Sequence, residues 1–353
     1  MKGLILSGGK ATRLRPITHT WAKQLIPIAN KPILFYGLEQ LKSAGIEEVG
    51  IVVGDTKEEI MKACGSGKFW GLKITYIFQE APLGLAHAVK ISRDFLGKDK
   101  FVMYLGDNLV KEEIKPLVKK FANSSAAAQI LLAPVEHPEQ FGVAEIKDDK
   151  IIRLVEKPKV PPTNLALVGI YMFNENIFSA VENIKPSWRG ELEITEAIQY
   201  LIDHQDKVLY HIISGWWKDT GKLEDLLEAN RIMIEDIVVE NKGIVEAGSK
   251  LYGKVKIEKG AKIINSIIRG PVVIGENTQI VNSYIGPFTS IYYGVYIEDS
   301  EIEHSIILEQ SKITGIKRIE DSLIGQRVEV VKSKAKPQAY RLMVGDSSRV
   351  EVI

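Results

Sequence analysis

The chain has 353 residues, 45% of them hydrophobic and 26% charged, with 46 lysines and arginines against 45 aspartates and glutamates. That length supports a sizeable core in one large domain or two smaller ones, and two is the better reading. A net charge of +1 lacks the basic excess that nucleic acid or an anionic membrane would select.

The single Cys64 forms no internal disulfide, and the six histidines show no zinc-site spacing, which fits a reducing, cytoplasmic setting. No stretch approaches the roughly 18 apolar residues of a membrane span. The apolar run Gly3-Leu-Ile-Leu6 is too short for a signal peptide.

From Lys2 to about Asp236, apolar runs alternate with amphipathic stretches, the rhythm of an α/β domain. Strands are expected at 2–6, 49–53, 73–78, 101–105 and 128–133, with helices between them. Pro32 opens one helix, and Gly45 follows its last turn, where a left-handed residue is wanted. Thr56 is the expected N-cap of the next, with Glu59 completing a capping box. The run Gly65-Ser-Gly67-Lys-Phe-Trp-Gly71 follows a helix rather than a strand, so it reads as a cap and loop, not a dinucleotide turn.

After Glu240 the rhythm changes to short units with Ile, Val or Leu about every sixth residue. Val245, Leu251, Ile257 and Ile263 form one series; Ile274, Ile280, Ile285, Ile291, Ile297, Ile302 and Leu308 continue it with slips in register. Such a repeat places one aliphatic side chain per short strand inside a coil, and stacked coils bury a continuous core. A parallel β-helix is expected over 239–353, after a first domain over 1–238. The alternative is a sandwich of short strands.

The run Leu4-Ile-Leu6-Ser-Gly8-Gly9 is a strand entering a paired-glycine turn, followed at once by Thr12-Arg13-Leu14-Arg15-Pro16. Glycines let backbone N–H groups approach phosphate oxygens, and an arginine supplies charge with forked donors. Neither the P-loop nor the dinucleotide fingerprint is present. Alone, this run is equally a tight loop after the first strand.

Two aspartates stand where a metal could use them. Asp107 follows the apolar stretch 101–105 through Gly106, at a strand's carboxyl end, where open α/β sheets bind ligands. Asp219 closes Gly215-Trp-Trp-Lys-Asp-Thr-Gly221. Magnesium takes few carboxylates and several phosphate or water oxygens, so two aspartates with a triphosphate suit it. Each could instead be a turn-former in a loop.

With Lys23-Gln-Leu-Ile-Pro-Ile28 and Asn30-Lys-Pro-Ile33, the opening run resembles the sugar-1-phosphate nucleotidyltransferases, whose pattern is Gly-Gly-x-Gly-Thr-Arg-Leu-x-Pro, then Lys-x-Leu-x-Pro and Lys-Pro. Lys-Gln-Leu, with Gln79 ahead of Pro82-Leu-Gly-Leu-Ala-His-Ala88, is closest to the thymidylyltransferase branch. The resemblance covers the first domain end to end and extends to the longer members with a β-helical tail. It implies a Rossmann-like mixed α/β sheet followed by a left-handed parallel β-helix. One departure is Ala11, where the family has a third glycine; a left-handed alanine costs on the order of 1 kcal/mol. Either the loop avoids that conformation or the cradle is altered.

The resemblance assigns Leu6, Gly8, Gly9, Gln79 and Gly84 to the nucleotide, with Gln79 reading the thymine edge. It assigns Arg13 and Lys23 to charge on the triphosphate, Asp107 and Asp219 to Mg2+, and Gly142, Glu156 and Lys157 to the sugar and its phosphate. Without it, Glu156-Lys157 at a strand end reads as solvated surface. Glu193, in Gly190-Glu-Leu-Glu-Ile-Thr195, is a weaker candidate.

The implied reaction is transfer of a thymidylyl group from dTTP to glucose 1-phosphate, giving dTDP-glucose and pyrophosphate by direct displacement. UTP differs by a methyl and a ribose hydroxyl, so a UTP-using sugar-1-phosphate uridylyltransferase is the alternative reading. The implied partners are these two small molecules and further copies of the chain. Two rival classes remain open: a relative that keeps the fold without turnover, and an acyltransferase in the β-helix, where only His304 offers a base.

Overall fold

The structure is a computed structural model that describes residues 1–9, 14–19, 21–333, 342 and 344–351. The packing divides the chain into two compact units, Met1–Lys10 with Ile33–Asp219 and Ala11–Pro32 with Thr220–Ile353.

The first unit is built on a nine-stranded mixed sheet. Lys2–Ser7 lies at its centre, parallel to Glu48–Val53 on one side and Phe101–Leu105 on the other; Lys73–Phe78 continues the parallel half. The sheet then turns antiparallel, because Leu165–Phe173 runs against Phe101–Leu105 and receives Ala128–Pro134 and the hairpin Gly142–Lys147/Lys150–Glu156. Val208–Ile212 closes the far edge, parallel to Ala128–Pro134. Strands covered on both faces need near-continuous apolar sequence, which is what 2–6 and 101–105 supply. Leu4, Phe101, Met103, Ile130, Phe173, Ile177 and Ile198 form part of the resulting core.

Helix boundaries follow the sequence with one exception. Ile33–Ser43 begins directly after Pro32, and Gly45 holds φ +86° beyond its end. Lys57–Cys64 does follow Thr56, but no side-chain cap bond forms, so the expected capping box is absent. Thr56 sits at φ −94°, ψ 22°, outside the extended backbone from which an N-cap oxygen reaches forward to accept the amides of the first turn. Gly65, Gly67 and Gly71 all take positive φ after this helix, as a cap and loop. Cys64 ends the helix buried, and burial pushes its thiol up to about 12, so it packs rather than reacts.

The second unit contains the β-helix: three sheets of six, six and four short parallel strands. Its apolar repeat has a physical period that explains the slips. Ile257, Ile263, Ile268, Ile274, Ile280, Ile285, Ile291, Ile297 and Ile302 are all fully buried, and they advance in steps of six, five and six. Each coil therefore has two six-residue sides and one five-residue side, and equivalent positions recur after 17 residues. Leu251 is the exception in the expected series. It pairs with inward Ile268 but stays 37% exposed, because its strand is the edge of the four-stranded sheet.

A serine ladder marks the short side. Ser266, Ser283 and Ser300 stack one per coil. Each hydroxyl donates to the carbonyl two residues back and accepts an amide N–H from the next coil: Ser283 N to Ser266 Oγ at 3.0 Å, Ser300 N to Ser283 Oγ at 3.1 Å, Ile316 N to Ser300 Oγ at 3.1 Å. The hydroxyls thus satisfy buried backbone amides at the tight corner. Ser283→Ala strands the Ser300 amide and is expected to destabilise the protein by about 1–3 kcal/mol in denaturant unfolding, whereas replacing exposed Lys262 by Ala should leave the midpoint nearly unchanged.

Candidate active site

Parallel strands end together, and in the first unit their carboxyl ends lead into Gly8, Gln79 and Asp107. The Gly106 amide donates to Leu6 O at 2.9 Å, drawing the ends of Lys2–Ser7 and Phe101–Leu105 together just before Asp107. A β-carbon on Gly106 would lie 3.0 Å from Leu6 O, and one on Gly54 would lie 3.0 Å from Gly8 O, tighter than ordinary contact, so glycine fits these approaches without a shift of the backbone. Among the described residues, none lies within 4 Å of where a β-carbon on Gly9 would sit. Ala11 and Arg13 lie outside the described residues. Lys23 belongs to the second unit, where it is buried at the start of a short 3₁₀ turn, Lys23–Leu25.

Gln79 follows Lys73–Phe78, and its amide is oriented from two sides. Its Nε2 donates to His87 Nδ1 at 3.0 Å and to Gly84 O at 3.3 Å, which turns Oε1 toward Gly8, 3.2 Å from where a β-carbon there would sit. Burial and nearby Lys90 lower the His87 pKa, keeping the ring neutral and able to accept. Gly84 holds φ +102° against Leu192; a β-carbon would collide with Leu192 O at 2.4 Å. The Ala86 amide also donates to Leu192 O, so the 190–195 run is fastened to the Gln79 loop.

A two-stranded ribbon brings the aspartates together. Asn108–Val110 pairs antiparallel with Trp217–Asp219, and the register sets Asp219 opposite Asn108, next in sequence to Asp107. Asn108 is buried; its Nδ2 donates to Asp107 Oδ1 at 3.0 Å and its Oδ1 accepts from Trp217 Nε1 at 2.7 Å. Gly169 leaves the room it needs, since a β-carbon there would lie 2.7 Å from the Asn108 carboxamide. Asn108 therefore aims one carboxylate and anchors the strand bearing the other.

The hairpin residues form a second cluster. Glu156 Oε2 accepts from Thr195 Oγ1 at 3.1 Å, and Glu156 Oε1 lies 3.6 Å from Arg189 Nη1. Arg189 also reaches Glu191 at 2.9 Å and Glu193 at 3.5 Å. Burial, then Glu193, raises the Glu156 pKa, while Lys157, Thr195 and Arg189 oppose the rise. Gly142 is pinned here as well: a β-carbon would sit 2.5 Å from Thr195 Cγ2 and 3.0 Å from Glu156 Oε2. Lys157 holds φ +41°, a left-handed backbone uncommon outside glycine, with its amide donating to Phe141 O at 3.0 Å. The Phe141 ring packs edge-on against Trp217 at 5.4 Å, joining the Lys157 corner to the ribbon that carries Asp219.

Thus Leu6, Gly8, Gly9, Gln79, Gly84, Asp107, Gly142, Glu156, Lys157 and Asp219 lie in one unit, and contacts join them within three groups: glycine turn with glutamine, aspartate ribbon, and glutamate-lysine hairpin. Sequence reasoning gave no role to His87, Asn108, Arg189, Thr195 or Trp217. Arg189, Thr195 and Trp217 act on partners distant in the chain, which no local spacing could have marked, whereas His87 lies eight residues from Gln79 and Asn108 next to Asp107.

The sequence pattern of the family described as Nucleotidyl transferase matches residues 2–236. A glucose-1-phosphate thymidylyltransferase of Streptomyces griseus is 52% identical over all of this chain and 99% of its own length, and one from Streptomyces antibioticus is 52% identical over the same shares. A solved structure from Bacillus anthracis, assigned as a glucose-1-phosphate thymidylyltransferase and holding sucrose, superposes with a TM-score of 0.64 at 38% identity, covering 68% of this chain and 98% of that one. The chain belongs to the nucleotidyl transferase family, in its glucose-1-phosphate thymidylyltransferase branch.

Proposed function

We propose that the protein transfers a thymidylyl group from dTTP to glucose 1-phosphate, releasing pyrophosphate and giving dTDP-glucose. The observation that carries the reading is the ribbon that sets Asp219 beside Asn108 and Asp107 at the carboxyl end of a central strand. We take 1–238 as the nucleotidyltransferase domain and 239–353 as the β-helix domain.

Two like-charged phosphates must meet, so the residues neutralise and align rather than exchange protons. Gly8 and Gly9 offer backbone donors to the triphosphate, and Arg13 and Lys23 take up charge on the α-phosphate and departing pyrophosphate. Gln79, its amide fixed by His87 and Gly84, hydrogen-bonds the thymine edge. Gly142 and Glu156 bind the sugar, and Lys157 holds the attacking phosphate oxygen in line with the α-phosphorus. Among the described residues no group of three or more His, Cys, Asp or Glu could hold a metal by itself. Asp107 and Asp219 with substrate oxygens fit Mg2+, which prefers few carboxylates and retains other oxygen ligands. When bound, it would supply charge neutralisation shared by the phosphates.

No helix among the described residues is long and apolar enough to cross a membrane. A cytoplasmic setting is supported by the lone, buried Cys64. A homo-oligomer is supported by the exposed Leu251, Tyr252 and Ile267 on adjoining β-helix strands.

Pyrophosphate release from glucose 1-phosphate with each of the five common triphosphates tests the assignment. dTTP should be fastest, with UTP lower by about 10- to 200-fold for the missing methyl; silence with all five would identify a non-catalytic relative. Glu156→Gln adds a pH test. Glu156 holds its proton more tightly folded than unfolded, so its contribution to stability is full below pH 4.5 and lost as pH rises through the raised value. The variant should lose that fall in thermal melts across mildly acid pH, while its KM for glucose 1-phosphate rises about tenfold with the weaker acceptor.

A further inference from the structure

The second unit holds a hairpin that reaches from Lys23 to the β-helix. Lys23–Leu25 leads into Pro27–Ile28, which pairs with Lys31–Pro32 across the two-residue tip Ala29-Asn30. Both tip residues are left-handed, at φ +49° and +60°. Tight hairpin turns of this kind normally use Asn-Gly, so an alanine at the first position needs outside support.

Two carboxamides supply that support. Asn230, 1% exposed on the helix Leu223–Ile234, accepts the Ala29 amide N–H at 2.9 Å and the Ser290 hydroxyl at 2.6 Å, and donates to Phe288 O at 2.9 Å. Asn30 Nδ2 donates to Ile291 O at 2.7 Å. Ser290 and Ile291 belong to the coil strand Thr289–Ile291, whose neighbours above and below are Val272–Ile274 and Ile306–Ile307. The hairpin tip is therefore bolted to the middle of the coil stack, and Lys23 lies six residues before Ala29, the first residue of the left-handed tip.

We propose that Asn30 and Asn230 are positioning residues for Lys23, so that a coil of the β-helix sets the placement of a residue of the catalytic loop. The proposal rests on the function proposed above, in which Lys23 takes up phosphate charge. It assigns the β-helix a part in catalysis beyond supporting an assembly.

Asn30→Gly in the full-length protein tests it, because glycine accepts the left-handed turn while deleting the bond to Ile291 O. Asn265→Gly is the matched control: Asn265 is also left-handed, at φ +46°, and bonds along the stack to Asn282. Amine acetylation read by mass spectrometry reports Lys23 without any turnover. Labelling of Lys23, 7% exposed in the intact protein, should rise severalfold in Asn30→Gly and in Asn230→Ala, and not in Asn265→Gly. In kinetics, Asn30→Gly should lower kcat about tenfold with KM for glucose 1-phosphate within about twofold, and should cause no further loss in a Lys23→Ala background. Unchanged Lys23 labelling, or losses that multiply in the double variant, would overturn the proposal. Absence of pyrophosphate release by the wild type would sink the functional reading instead, and the labelling would still decide this one.

Discussion

The whole arrangement answers one constraint, the mutual repulsion of two phosphates that must come within bonding distance. Overcoming it requires fixed positive charge and backbone donors held rigidly, and rigidity has to come from the fold. The parallel half of the mixed sheet supplies a common edge. Gly54 and Gly106 let the chain pass close to Gly8 and Leu6, where a β-carbon would press against a backbone oxygen. The aspartates are then brought in by the ribbon of Asn108–Val110 and Trp217–Asp219, not by the sheet itself.

Much of this was legible in the sequence, and the readable parts share a property: they are local. The apolar runs at 2–6, 73–78 and 101–105 became strands because periodicity and β-branched content act within a few residues. Gly45 and the glycine loop from Gly65 likewise follow from backbone dihedrals alone. The aliphatic repeat announced the β-helix, although its slips only make sense once each coil is seen to have one five-residue side closed by a serine.

What stayed hidden depends on chain-distant partners. Arg189 and Thr195 complete the Glu156 cluster from a segment more than thirty residues away, and Trp217 joins Asn108 across a separation of 109. Thr56 carried a local cap pattern that the observed backbone does not use. Ala29 was invisible for the opposite reason. Nothing about an alanine signals a left-handed turn, and its conformation is stabilised by Asn230, two hundred residues further on.

A consistent picture of division of labour results. The proposed binding groups sit on strand ends, and the side chains that orient them, His87, Asn108 and Arg189, come from neighbouring elements. The proposed reaction turns on direct attack of one phosphate on the other, and the stereochemistry at phosphorus reads that step most directly. With dTTP carrying a chiral α-phosphorothioate and glucose 1-phosphate as acceptor, the thio-dTDP-glucose formed should show inverted configuration at the α-phosphorus. Net retention would reveal a double displacement through a nucleotidyl-enzyme and would contradict the account.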